Sequence, residues 1–118
     1  MVHTSEMDFS GMIPVDGYGP GFFRVGGVVH QGPLALLPDG PQPWAGIGDM
    51  TLFLERAETF DILLVGTGTT FELLAPEMRV RLESAGIGVE TMTTGAACRS
   101  YNVLLAEARR VAAALVPI

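Results

Sequence analysis

The chain contains no lysine: its seven basic residues are all arginines, set against thirteen acidic residues for a net charge of −6. Lacking lysine, it can form no Schiff base and has no P-loop lysine. The acidic balance also argues against a nucleic-acid partner, because neutralising a phosphate backbone needs a basic surface. A single cysteine, Cys98, excludes an internal disulfide. With only His3 and His30 beside it, no clustered zinc ligands are visible, so neither a metal nor another cofactor is expected. No apolar run approaches the roughly 20 residues of a membrane helix, so the chain is not expected to span a membrane. The opening stretch, Met1 to Ser10, has neither a signal peptide's apolar segment nor a transit peptide's arginines. A cytoplasmic location is therefore the expectation.

At 118 residues, 48% of them hydrophobic and 17% charged, the chain has the size and composition of one globular domain. The expectation is a single domain over 1–118, with 1–10 a candidate disordered segment. The first half reads as β structure. Phe22–Val25 and Val28–Gln31 flank Gly26-Gly27, a pair suited to the positive φ of a two-residue hairpin turn. Leu34–Leu37 gives a short apolar strand between Pro33 and Pro38. The segment Asp39–Trp44 reads as a loop, because its prolines and glycine interrupt a ladder.

Beyond Asp49, a potential cap, Thr51–Ala57 reads as a short helix. Ile62–Val65 is an unbroken apolar run between Asp61 and Gly66, as in a strand covered on both faces. Pro76–Ala85 reads as a helix, started by Pro76 and stopped by Gly86. Gly88–Met92 reads as the next strand, and together the three form a βαβ unit with parallel strands. A last, long helix is expected over Ala96–Leu115. Tyr101, Leu104, Leu105, Ala108, Val111, Ala112 and Leu115 recur there at three- and four-residue steps, and Glu107 and Arg110 are spaced to pair along it. The predicted fold is thus α/β: a mixed sheet with an N-terminal hairpin, a βαβ unit and a C-terminal helix packed on the sheet.

The place with most chemical promise is the passage from Gly88–Met92 through Thr93-Thr94-Gly95 into that helix. A helix amino end gathers free N–H groups and positive dipole, which suit an anion or an activated thiol. Gly66-Thr67-Gly68 follows a parallel strand and should emerge on the same sheet edge. The candidate ligand pocket is therefore Gly66, Thr67, Gly68, Thr94, Gly95, Cys98, Arg99 and Asn102. Several members also have an ordinary structural reading. Phe71 stands where a dinucleotide fingerprint needs its third glycine, and Thr69 and Glu72 have capping-box spacing, so the glycine loop reads as a turn and cap. Cys98, with Arg99 beside it in the first helical turn, could be an activated thiol, but no base or resolving cysteine adjoins it and packed cysteine is the commoner case. Arg99 opposes the helix dipole there, which calls for either a bound anion or a salt bridge to Glu72 or Glu90. His30 reads as a surface or satisfied residue, and Trp44 as a lid on one end of the core or an anchor for a partner. No carboxylate pair suggests glycosidase chemistry, and no catalytic residue is assigned.

Certain stretches carry a resemblance: Gly32-Pro33-Leu34-Ala35-Leu36-Leu37-Pro38, Trp44, Val65-Gly66-Thr67-Gly68, Gly86-Ile87-Gly88-Val89-Glu90, and Thr94-Gly95-Ala96-Ala97-Cys98-Arg99-Ser100-Tyr101-Asn102-Val103-Leu104-Leu105-Ala106-Glu107. From about Gly17 to Pro117 the chain resembles a family of small domains of unknown function that includes the mitochondrial NADH dehydrogenase (complex I) assembly factor three. The resemblance implies one compact domain with a mixed sheet and packed helices, and no enzymatic activity carries over from bacterial members. It implies a non-enzymatic, protein-binding role in the assembly or maturation of a membrane or respiratory complex, with an unidentified protein as partner. The alternative is a small-molecule or anion-binding enzyme using the Gly66 and Gly95 loops. Thr93 stands where the family usually carries aspartate, and Ser100 where it usually carries threonine, so an acid/base role for that aspartate does not transfer.

Overall fold

The structure, a computed structural model, describes residues 13–118, which form eight strands and three α-helices. Met1–Ser10 and His3 lie outside the described residues. Strands β1 (Val15–Gly19), β2 (Phe22–Val25) and β3 (Val28–Gln31) make a small antiparallel meander. Its β2–β3 turn is the expected Gly26-Gly27 pair, with φ of 58° and 81°, values that glycine adopts without steric cost. The Asp16 carboxylate accepts the Gly27 N–H at 2.7 Å and ties β1 to that turn.

The larger sheet contains β4 (Leu34–Leu37), β5 (Gly40–Pro43), β6 (Ile62–Gly66), β7 (Gly88–Met92) and β8 (Val111–Leu115), in the order β5-β4-β8-β6-β7. It is mixed: β6 runs parallel to both β7 and β8, whereas β4 runs antiparallel to both β5 and β8. The β6-α2-β7 unit is the expected βαβ, its helix α2 spanning Pro76–Ser84. Helix α1 is shorter than expected, Thr51–Glu55, and a 3-10 turn follows at Ala57–Thr59. Asp49 does accept the Thr51 N–H, at 3.0 Å.

Two segments adopt a different element from the one expected. Gly40–Pro43 is a strand, not a loop, because it pairs on one side only. On a sheet edge a proline's missing N–H can face solvent. The second concerns the C-terminal helix. Helix α3 covers Thr94–Ala106 and packs on the sheet as expected, but residues 111–115 are β8, an interior strand. The helix stops in a Schellman turn: the Arg109 N–H donates to the Leu104 carbonyl and the Ala108 N–H to Leu105, both at 2.9 Å. Ala108 occupies the left-handed position, at φ 60°, where glycine is usual. Val-Ala-Ala-Ala-Leu then enters the sheet with every residue buried. The alanines keep the strand slim between two packed layers, and pairing to β4 and β6 overrides their helix propensity. Arg110, off the helix, pairs with Asp61 at 3.1 Å instead of with Glu107.

Strand alternation sorts the core into two layers. Leu34, Leu36, Leu64, Val111, Ala113 and Leu115 face α3 and, with it, the small sheet's Phe23 and Val25. Ala35, Leu37, Leu63, Val65, Ala112 and Ala114 face the side that carries Phe53, Leu74 and Leu82. Trp44 is buried there as a lid: its indole N–H donates to the Asp49 carbonyl at 2.7 Å, and its ring meets Phe53 edge-to-face at 5.8 Å.

Candidate functional site

The two glycine-bearing loops meet, as their parallel strands require. Between them sits Thr94, fully buried. Its hydroxyl accepts the Gly68 N–H at 2.8 Å and donates to the Val116 carbonyl, while its own N–H donates to the Gly68 carbonyl at 3.0 Å. Thr67 does similar work: its hydroxyl accepts the Glu72 N–H at 3.1 Å and lies 2.8 Å from the Thr70 carbonyl, and its N–H donates to Met92. Gly68, at φ 97°, makes the turn. Gly66 and Gly95 do not have positive φ; Gly66 is small because the helix lies against it. A Cβ there would stand 3.0 Å from the Thr94 Cα and 3.1 Å from the Ala97 Cβ. At Gly95 a Cβ would meet the Tyr18 hydroxyl at 2.6 Å.

No helix begins at Thr69, so the capping box does not form; α2 starts at Pro76, and Glu72 is held through its backbone. Because α3 starts at Thr94, Cys98 and Arg99 lie in its second turn rather than its first. The Cys98 thiol is buried, and desolvation pushes its pKa up to about 11 against a smaller opposing pull from Arg99. Asn102 turns to the small sheet, exchanging two 2.9 Å hydrogen bonds with the Val15 backbone. The polar groups of Thr67, Thr94 and Asn102 are thus committed to holding the fold together, and no described buried side-chain polar atom lacks a partner.

Arg99 is exposed, and neither Glu72 nor Glu90 is in ion-pair contact with it. Its guanidinium runs back over Gly95, with Nη1 3.5 Å from where a Cβ would be. It also borders a cleft of about 360 Å³ on the α3 side of the sheet, walled by Glu90, Arg99, Ser100 and Arg109 and floored by Ile62, Leu64 and Leu104. Arg109 escaped the sequence reading because it was placed within a continuous helix. The Schellman turn brings it there, and no glycine marks that turn. His30 lies on β3, part-buried. Apart from this cleft, the loop between β6 and α2 exposes Phe71 by 53% and Leu73, two positions on, by 81%.

A mixed-sheet α/β domain with a sealed glycine-loop junction is the class that these features define. The chain belongs to a protein family of unknown function, DUF498/DUF598, whose model matches residues 15–116. It is 45% identical over 113 residues to an uncharacterized protein of Rhodobacter capsulatus, covering 96% of this chain and 91% of that one. It is 34% identical over 111 residues to the human NADH dehydrogenase [ubiquinone] 1 alpha subcomplex assembly factor 3, covering 87% of this chain. The chain spans 60–65% of the length of the vertebrate and fly assembly factors that it matches. Among solved structures it is similar to an outer membrane protein from Bartonella henselae, with TM-score 0.84 and 40% identity over 93% of this chain and 98% of that one. A Mth938-like domain of Bordetella pertussis follows the same fold, with TM-score 0.76 and 31% identity over 99% of this chain and 92% of the other. No helix among the described residues is long and apolar enough to cross a membrane.

Proposed function

We propose that the chain is a non-enzymatic factor that binds another protein during assembly or maturation of a membrane complex, the respiratory NADH dehydrogenase being the leading candidate. The observation that carries this reading is the division of labour on its surface. The glycine-loop junction, the candidate ligand pocket, spends its polar groups on internal hydrogen bonds, while Phe71 and Leu73 stand exposed on the loop beside it. A few residues that become buried on binding carry most of the energy of a protein–protein contact. The similarity to complex I assembly factors supports the same reading.

Copurification of the tagged protein from its host, alongside a Phe71→Ser/Leu73→Ser variant, tests the proposal. One protein partner should accompany the wild type in near-stoichiometric amount and be lost from the variant, whose melting temperature should stay close to wild type because both side chains are exposed. Equal recovery of that partner by both proteins would contradict the assignment of the surface. Recovery of no partner would contradict the reading itself.

A further inference from the structure

We propose that the cleft between α3 and the β6–β7 face binds a small monocarboxylate with an apolar body; this goes beyond the protein-binding role and does not depend on it. The cleft exists because the α3-facing side of β7 consists of Gly88, Glu90 and Met92. Glycine and an exposed glutamate leave part of that face without apolar cover, so Ile62 on β6 stays only part-buried beneath it. Ile62, Leu64 and Leu104 then form an apolar floor, and Val103 stands at the rim with 54% of its surface exposed. A volume of about 360 Å³ suits a small ligand.

Charge selects the ligand's class. The molecule carries −6 overall, yet two of its seven arginines, Arg99 and Arg109, line this one cleft. Arg56, Arg79 and Arg110 pair with carboxylates, whereas the two cleft arginines, like Arg24 and Arg81 outside the cleft, have no such partner among the described residues. Against them stands Glu90, which leaves a local balance of one positive charge. That balance matches a single carboxylate, which guanidinium groups bind through charge-assisted hydrogen bonds, and the floor would take the apolar body. Arg109 reaches the cleft because it follows Ala108, the left-handed residue that ends α3.

Titration of the isotope-labelled full chain, followed by amide chemical shifts, tests the proposal with hexanoate, hexanol, acetate and inorganic phosphate as probes. Hexanoate should give saturable shifts confined to Glu90, Arg99–Leu104 and Arg109, and the other three should bind at least about tenfold more weakly, since each lacks the charge or the apolar body. Arg99→Ala/Arg109→Ala should weaken hexanoate by about tenfold or more, while Arg81→Ala, an exposed arginine outside the cleft, should leave it unchanged. Absence of saturation, shifts centred elsewhere, phosphate or hexanol binding as well as hexanoate, or undiminished binding by the double variant would each overturn it. The probe series on wild type decides the matter even if the double variant folds poorly.

Discussion

Thr94 binds three separate pieces of chain through one side chain, joining the Gly68 turn, the start of α3 and the exit of β8. Thr94→Val keeps the shape but strips the hydroxyl, leaving the buried Gly68 N–H without its acceptor. The cost should be about 1–3 kcal/mol, read from the midpoint shift in urea; no shift would mean that the junction is not held by that hydroxyl. Cys98 is the neighbouring test. Burial favours its neutral thiol, so its folded pKa of about 11 lies above the ordinary 9.0. The stability this provides is fully present below the ordinary value and is lost as pH rises towards 11. Cys98→Ala should therefore flatten part of the fall in stability over that range, and native wild type should react with a thiol reagent at pH 7 only slowly. Rapid native labelling would place the thiol at the surface.

Helix α3 and strand β8 show how an element is decided by its ends and its neighbours. Ala108 ends the helix in a conformation that costs a non-glycine residue roughly 1–2 kcal/mol. Glycine would relieve that strain, less roughly 0.5–1 kcal/mol for its extra freedom when unfolded. Ala108→Gly should accordingly stabilise the protein by ~0.5–1 kcal/mol, measured as a rise in melting temperature. A fall would mean that the turn is not left-handed in solution. The same residue explains where sequence reading stopped. The β2–β3 turn, β6 and the α2 start were legible because Gly26-Gly27, an unbroken apolar run and Pro76 each impose a conformation locally. The end of α3 was not, because alanine at a left-handed position looks like helix, and Val111–Leu115 continues the helical stripe by coincidence of spacing. At the junction, the meeting of Gly66–Gly68 with Thr94–Gly95 was legible from parallel topology. The inward turn of Asn102 and the arrival of Arg109 were not, since both depend on tertiary placement. At the sheet's far edge, Arg79 donates to the Val89 carbonyl and the Thr91 hydroxyl, both at 3.2 Å. That contact blunts the free side of β7 against pairing with another chain, as Pro41 and Pro43 do at β5.

Taken whole, the molecule is a mixed sheet packed on both faces, with the small sheet beside α3 and the Trp44 lid on the opposite face. Its glycine-loop junction is closed by internal hydrogen bonds, and its exposed features include the Phe71–Leu73 loop and the arginine-lined cleft. On the proposed reading, the exposed Phe71–Leu73 loop captures a partner while the junction beside it serves the fold. The proposed role is tested most directly by deleting the gene in its host and resolving membrane complexes on native gels with an in-gel NADH dehydrogenase stain. The account predicts a loss of fully assembled complex with accumulation of partial assemblies, restored by the wild-type chain and not by Phe71→Ser/Leu73→Ser. Undiminished assembly of every respiratory complex in the deletion strain would contradict it.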